Sequence, residues 1–237
     1  MSELLAQRVA ELDWYHTMDL PGGVVTPGLF DHRPVLGNYD LPDDLSGLRV
    51  LDVGTFDGSF AFEFERRGAA EVVAIDLADR EDLDWPAPLR RSGVSRFNPR
   101  RTNFDLAKEA LGSSVRHEIC SAYDASPERL GMFDYVFVGS LLVHLRDPVG
   151  ALASLLTVTK DTIHLGEHTH RSLEIRPAAR FEALGPHLTW WVPNNACLRG
   201  WLLAAGFVDV NLGSSFIVPF RGRRGGIRHT VARGHRP

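Results

Sequence analysis

The chain has 237 residues, 44% hydrophobic and 24% charged, and its 26 Lys and Arg against 30 Asp and Glu leave a formal charge of -4. That balance excludes disordered and fibrous classes and a protein that holds nucleic acid by bulk charge, and the length suits one α/β domain over 1–237. Cys120 and Cys197 show neither zinc-knot nor redox-pair spacing, the first 13 residues lack an apolar leader core, and no run is long enough to span a bilayer, so a cytoplasmic location is expected.

Leu5, Val9 and Leu12 recur at helical spacing behind Ser2 and open a cap segment, 1–47, whose Pro/Gly-rich part from 21 onward reads as ordered coil. The apolar run 48–53 ends in Gly54 and predicts a strand; a helix follows over 59–67, stopped by Gly68, then a strand over 71–75 that ends at Asp76. The pattern breaks over 77–102, an insertion or lid, before a helix over 104–111. Strands are predicted over 115–120, 133–138 and 162–166, with a helix from Pro148 to 158 capped by Asp147. A helix over 195–205, stopped by Gly206, precedes a strand over 207–212 and a hairpin through 222–226 that brings back a last strand over 228–233. Strands separated by helices call for a mostly parallel, doubly wound sheet with helices on both faces.

In such a sheet the ligand sits beyond the carboxyl ends of the strands, at the first βα turn, here Asp52-Val-Gly-Thr-Phe-Asp-Gly58. Glycine permits close backbone approach, and Asp76 is placed to hold both hydroxyls of a ribose. A dinucleotide site asks for G-x-G-x-x-G, because its pyrophosphate rests on backbone N–H groups; Phe56 and Asp57 intrude on that pattern, and the Asp57 carboxylate would repel a phosphate. A cationic sulfonium ligand without phosphate suits an acidic turn better.

The runs Leu48-Arg-Val-Leu-Asp-Val-Gly-Thr-Phe-Asp-Gly-Ser-Phe-Ala61, Val72-Val-Ala-Ile-Asp76 and Phe133-Asp-Tyr-Val-Phe-Val-Gly-Ser-Leu-Leu-Val-His-Leu-Arg-Asp-Pro148 resemble the class I S-adenosylmethionine-dependent methyltransferases. Within that class the chain is most similar, over 14–210, to the group containing the tRNA wobble-uridine carboxymethyltransferase. The resemblance implies a Rossmann-like, mostly parallel seven-stranded sheet with a C-terminal antiparallel hairpin, and S-adenosylmethionine as cofactor. It implies that Gly54, Thr55, Asp57 and Gly58 surround the methionine part, Asp76 and Leu77 the ribose, and Ser121, Ala122 and Tyr123 the adenine, with Gly139, Ser140 and Leu141 under the sulfonium. That group has a large N-terminal extension, missing here, and grips a carboxylated cofactor through a lysine before the first strand. This chain has no lysine before Lys108, so the ordinary cofactor and a small-molecule acceptor are expected.

Methyl transfer is an in-line displacement that rests on orientation, with a base needed only for an O–H or N–H nucleophile. His144 and Glu167 are the candidates; a structural histidine and a carboxylate that caps backbone groups are the competing readings. His164-Leu-Gly-Glu-His168 matches a zinc pattern with His170 nearby, but on a strand the two histidines lie about 13 Å apart, so no metal is expected and His168 and His170 are placed at the pocket mouth. Trp14, Tyr15 and His16, with Trp190, Trp191 and Asn194, are candidates to stack or hold a flat acceptor, against the alternative that the tryptophans only pack. Arg90, Arg91, Arg96, Arg100 and Arg101 are fit to steer an anionic acceptor, or form a solvated loop balanced by the acidic run 79–84. The arginines near the C-terminus fit an exposed hairpin. The expected function is O- or N-methylation of a small, specialised metabolite; an RNA-modifying methyltransferase and a non-methylating cyclase or scaffold on the same fold are the rivals.

Overall fold

The computed structural model describes residues 2–86, 101–172, 174–183 and 188–237. A seven-stranded sheet organises them. Its strands in chain order are β1 (Arg49–Val53), β2 (Glu71–Asp76), β3 (Arg116–Ile119), β4 (Phe133–Gly139), β5 (Thr159–His168), β6 (Val208–Pro219) and β7 (Gly226–His235), and across the sheet they run β6-β7-β5-β4-β1-β2-β3. The first five pair parallel; β7 runs antiparallel to β5 with His229 opposite His168 and His235 opposite Thr162, and β6 pairs antiparallel on β7. The helices are α1 (Ser2–Ala10), α2 (Ser59–Arg66), α3 (Arg101–Leu111), the single turn α4 (Pro127–Leu130), α5 (Pro148–Val158) and α6 (Asn195–Ala204).

The unbroken apolar runs of β1 and β4 follow from burial on both faces, as parallel strands require. Leu51, Val53, Val136 and Val138 point into one layer with Leu152, Leu155 and Leu198 of α5 and α6. Val50, Tyr135 and Phe137 point into the other with Phe60 and Phe64 of α2, Phe104 of α3 and the cap residues Val9 and Trp14. The strand order reverses at β1, so the crevice opens where β1, β2 and β4 end, at Gly54, Asp76 and Gly139.

Asp147 accepts from the Gly150 amide and Pro148 opens α5 as expected, and Gly68 ends α2 with φ +85°. Differences lie in length and in small elements. β5 and β6 extend well beyond 162–166 and 207–212, because β7 supplies a long antiparallel partner to each. The coil from residue 21 contains Val24–Val25, paired with Asp19–Leu20, and Ala179–Phe181 pairs with Trp191–Pro193. Residues 14–32 reach the hairpin: Phe30 bridges to Phe220, and the Arg221 amide donates to the Leu29 carbonyl. Of the insertion, 87–100 lies outside the described residues, and with it Arg90, Arg91, Arg96 and Arg100. Arg101 opens α3 and pairs with Asp105 at 3.4 Å. Among the described residues no helix is long and apolar enough to cross a membrane.

Candidate active site

At the ends of β1, β2 and β4 lies a cavity of about 340 Å³. The sheet contributes Gly54, Asp76 and Gly139, and the turn after β4 contributes Ser140, Leu141 and His144; the cap adds Tyr15, His16, Phe30 and His32. Leu83 and Trp85 come from the start of the insertion, and Phe220, Arg223 and His229 from the hairpin. Half of the lining residues carry an aromatic or imidazole ring.

The loop after β1 divides its residues between the cavity and the protein. Gly54 has φ +74° and lines the cavity; a Cβ there would lie 3.1 Å from the Leu141 side chain. Phe56 also has a positive φ, 55°, a strained position for a bulky residue. Its amide donates to Asp76 Oδ2 at 2.7 Å, and its ring packs 5.0 Å from that of Tyr15. Thr55 is buried. Gly58 is structural, since with φ +92° an added Cβ would run into the rings of Phe62 and Phe104.

Asp57 is fully buried and faces the cap. Oδ2 accepts from the amides of Tyr15 at 3.0 Å and His16 at 2.9 Å, while Oδ1 meets His16 Nδ1. The carboxylate does not line the cavity; its oxygens clamp the cap residues Tyr15 and His16 onto the loop after β1.

Asp76 lines the cavity with both oxygens oriented by backbone donors, Phe56 N on Oδ2 and Leu77 N on Oδ1 at 2.7 Å. Burial pushes its pKa up to about 6, with Asp57 adding to the effect and the two amides opposing it. Each oxygen keeps a second lone pair for a ligand hydroxyl. Ser121, Ala122 and Tyr123 form a turn after β3; Ser121 Oγ accepts from the Tyr123 amide, and the Tyr123 hydroxyl donates to Asp84 Oδ2 at 2.7 Å, which ties the insertion to the sheet.

His144 Nδ1 lies 2.8 Å from the Leu188 carbonyl and must donate to it, which puts the lone pair on Nε2. Burial holds its pKa below the ordinary value against that hydrogen bond, so the ring is neutral near pH 7. Glu167, by contrast, does not line the cavity. Oε2 accepts from Leu142 N at 2.7 Å and Oε1 from His168 N at 2.9 Å, the backbone-capping alternative, and burial raises its pKa to about 7. His164 and His168 lie on β5, and His164 is buried against Tyr135, whose hydroxyl is 2.6 Å from Nδ1. Among the described residues no three ligating side chains gather to hold a metal.

Of the proposed acceptor residues, Tyr15, His16 and His168 line the cavity. Trp14 packs in the core and donates to the Val9 carbonyl at 2.9 Å. Trp190 donates to the Asp84 carbonyl in the insertion and Trp191 to that of Arg146 after β4, and neither lines the cavity. Asn194 is buried as the N-cap of α6, accepting from Cys197 N at 2.8 Å, and His170 donates its amide to the Pro193 carbonyl; neither reaches the cavity. Sequence reasoning missed His32, His229 and Arg223. His32 sits in coil and His229 within a strand, where no motif marks them. Arg223 lies over the Phe220 ring, 3.9 Å from its centroid, at the cavity edge. His229 donates from Nδ1 to the Ile227 carbonyl at 3.0 Å and accepts from Ser140 Oγ at 3.1 Å; burial lowers its pKa to about 4.

No family model matches the chain. It is 29% identical over 153 residues to the magnesium-protoporphyrin O-methyltransferase of Rhodobacter capsulatus, covering 64% of this chain and 54% of that protein. It is 29% identical over 175 residues to the tRNA U34 carboxymethyltransferase of Ectopseudomonas mendocina, covering 70% and 47%. The chain thus spans about half the length of these curated relatives. Among solved structures, the N-terminal domain of EvdMO1 with S-adenosylhomocysteine bound superposes with a TM-score of 0.65 at 18% identity, covering 100% of this chain and 98% of that one. In fold and in sequence the chain is similar to the class I S-adenosylmethionine-dependent methyltransferases, with the tRNA U34 carboxymethyltransferases among its relatives.

Proposed function

We propose that the protein is an S-adenosylmethionine-dependent methyltransferase that methylates an oxygen or nitrogen of a small, flat acceptor, with His144 as the base. One observation carries this reading. The aromatic cavity opens directly onto Gly54, Asp76 and Gly139 to Leu141, so an acceptor held there lies beside the cofactor position, with His144 in the wall.

The residues fit such a cofactor. Gly54 leaves space that a Cβ would close, and the half-buried Asp76 carboxylate in the cavity wall keeps a second lone pair on each oxygen, the acceptor pattern that a ribose diol needs. Leu77 follows Asp76, and Ser121 to Tyr123 follow the adjacent strand; they do not line the cavity itself and would contact the ribose and adenine beyond its edge. When bound, the cofactor supplies an electrophilic methyl group on a sulfonium. The chain's own contribution is to hold the acceptor against the aromatic wall and to accept its proton on His144 Nε2, which is unprotonated because Nδ1–H is committed to the Leu188 carbonyl. Glu167 holds the turn that carries Ser140 and Leu142, and Asp57 holds the opposite wall.

The relatives support the methyltransferase reading from both sides of the acceptor question, since one acts on magnesium-protoporphyrin by name and the other on tRNA. The ring-lined cavity of about 340 Å³ favours the small acceptor. Incubation with cofactor labelled on the methyl group, against flat hydroxy- and amino-aromatics and against tRNA, tests it. Label in a small acceptor supports the proposal; label in tRNA alone replaces it with the RNA-modifying reading, and cofactor binding without transfer to any acceptor favours a non-methylating role.

A further inference from the structure

His32 precedes the short 3-10 stretch Arg33–Tyr39 and is 8% exposed. Its neighbours are rings: His16 at 5.1 Å between centroids, Phe60 at 5.5 Å, Tyr39 at 5.9 Å and Phe30 at 6.2 Å. Nδ1 is buried without a hydrogen-bond partner, and among the described residues the imidazole makes no hydrogen bond at all. An edge-on approach to Phe60 offers no more than a weak N–H contact with a ring face. A neutral imidazole carries one N–H and one lone pair, and burying Nδ1 unpaired is costly, so a phenylalanine would serve the packing better. The ring lines the same cavity as His144.

We infer that His32 is an acceptor-binding residue, which hydrogen-bonds a hydroxyl or N–H of the acceptor at a position other than the one methylated beside His144. The inference rests on the cavity being the acceptor site of the proposed function. Burial, with His16 and His229 nearby, holds the His32 ring neutral, so it recognises a neutral donor–acceptor group rather than an anion. A hydroxyl meets that need, since it both gives and accepts one hydrogen bond. With Tyr15, Phe30 and Phe60 as walls, the ligand class is an aromatic ring with two polar substituents, of the catechol or aminophenol type.

The test uses His32→Phe. Thermal unfolding comes first: the variant keeps or raises the wild-type Tm, because it removes an unpaired buried group, whereas a clear fall overturns the inference by showing that the imidazole is satisfied within the protein. Binding of phenol and catechol in the presence of S-adenosylhomocysteine is then followed by NMR shifts of cavity residues. Wild type binds catechol about tenfold more tightly than phenol, the value of one good hydrogen bond, and His32→Phe loses that preference. Retention of the preference by the variant, or no catechol binding to wild type, overturns it. Neither readout needs turnover, so failure of the methyltransferase reading shows separately, as absent methyl transfer.

Discussion

Asp57→Ala removes the clamp between the cofactor loop and the cap. In the wild type the carboxylate is fully buried and takes the amides of Tyr15 and His16 together with the His16 ring. With alanine, three donors stay buried without an acceptor. Removing one partner from a buried, hydrogen-bonded pair costs about 3–5 kcal/mol, a large share of the roughly 5–15 kcal/mol that stabilises a domain. Asp57→Asn keeps one acceptor oxygen and should lose about 1–3 kcal/mol. Urea unfolding measures both: at an m-value of roughly 2 kcal/mol/M, the alanine variant's midpoint falls by about 2 M and the asparagine variant's by about 1 M. An Asp57→Ala protein within about 0.5 kcal/mol of wild type refutes the clamp, the size of an ordinary surface substitution. Wild-type stability combined with lost cofactor affinity would make Asp57 a ligand group instead.

Asp76→Ala should weaken S-adenosylmethionine binding about a hundredfold by calorimetry, the loss of charge-assisted hydrogen bonds to two hydroxyls, while the protein stays folded; unchanged affinity removes the ribose assignment. His144→Ala should lower kcat at saturating acceptor by about 10²–10⁴-fold, and because burial depresses the His144 pKa, the wild-type rate should hold on acidification past pH 6.5 and fall only below it. Full turnover in the variant means that His144 is not the base. His229 protonates near pH 6.5 when unfolded but only near 4 when folded, so it contributes stability above that window that is lost as the pH falls through it. Relative to wild type, His229→Gln should therefore gain about 3 kcal/mol between pH 7 and pH 4 in denaturant titrations, and a constant difference contradicts a buried neutral ring. Gly58→Ala should cost about 2–4 kcal/mol in thermal unfolding, from its left-handed φ and the rings of Phe62 and Phe104; a stable variant shows that both give way.

What was legible in the sequence was mostly local. The run Arg49–Val53 reads as a strand because Val50, Leu51 and Val53 are apolar strand formers closed by Gly54, and Asp147 before Pro148 marks a helix start that needs no tertiary partner. β5 outran its prediction because Lys160, Asp161, Glu167 and His168 look like loop, yet Glu167 and His168 pair with Thr230 and His229 of β7, some 60 residues away, and Thr159 at the other end pairs with Phe133 of β4. The cofactor half of the site follows from one turn and one strand end. The partners of Asp57 were not legible because they come from Tyr15 and His16, over 40 residues back, and a carboxylate's orientation is not written in its own neighbourhood. The same distance hid His32 and His229, which enter the cavity only through the docking of cap and hairpin. Conversely, Asn194 and Trp14 carry groups suited to a ligand, and local helix-end and core contacts consume them.

The central claim is that the crevice at Gly54 and Asp76 holds an adenosyl sulfonium. Calorimetric titration with S-adenosylmethionine, beside a nicotinamide dinucleotide as control, tests it most directly. The account predicts one-site binding of S-adenosylmethionine and none of the dinucleotide; binding of the dinucleotide alone, or no binding of S-adenosylmethionine, contradicts it.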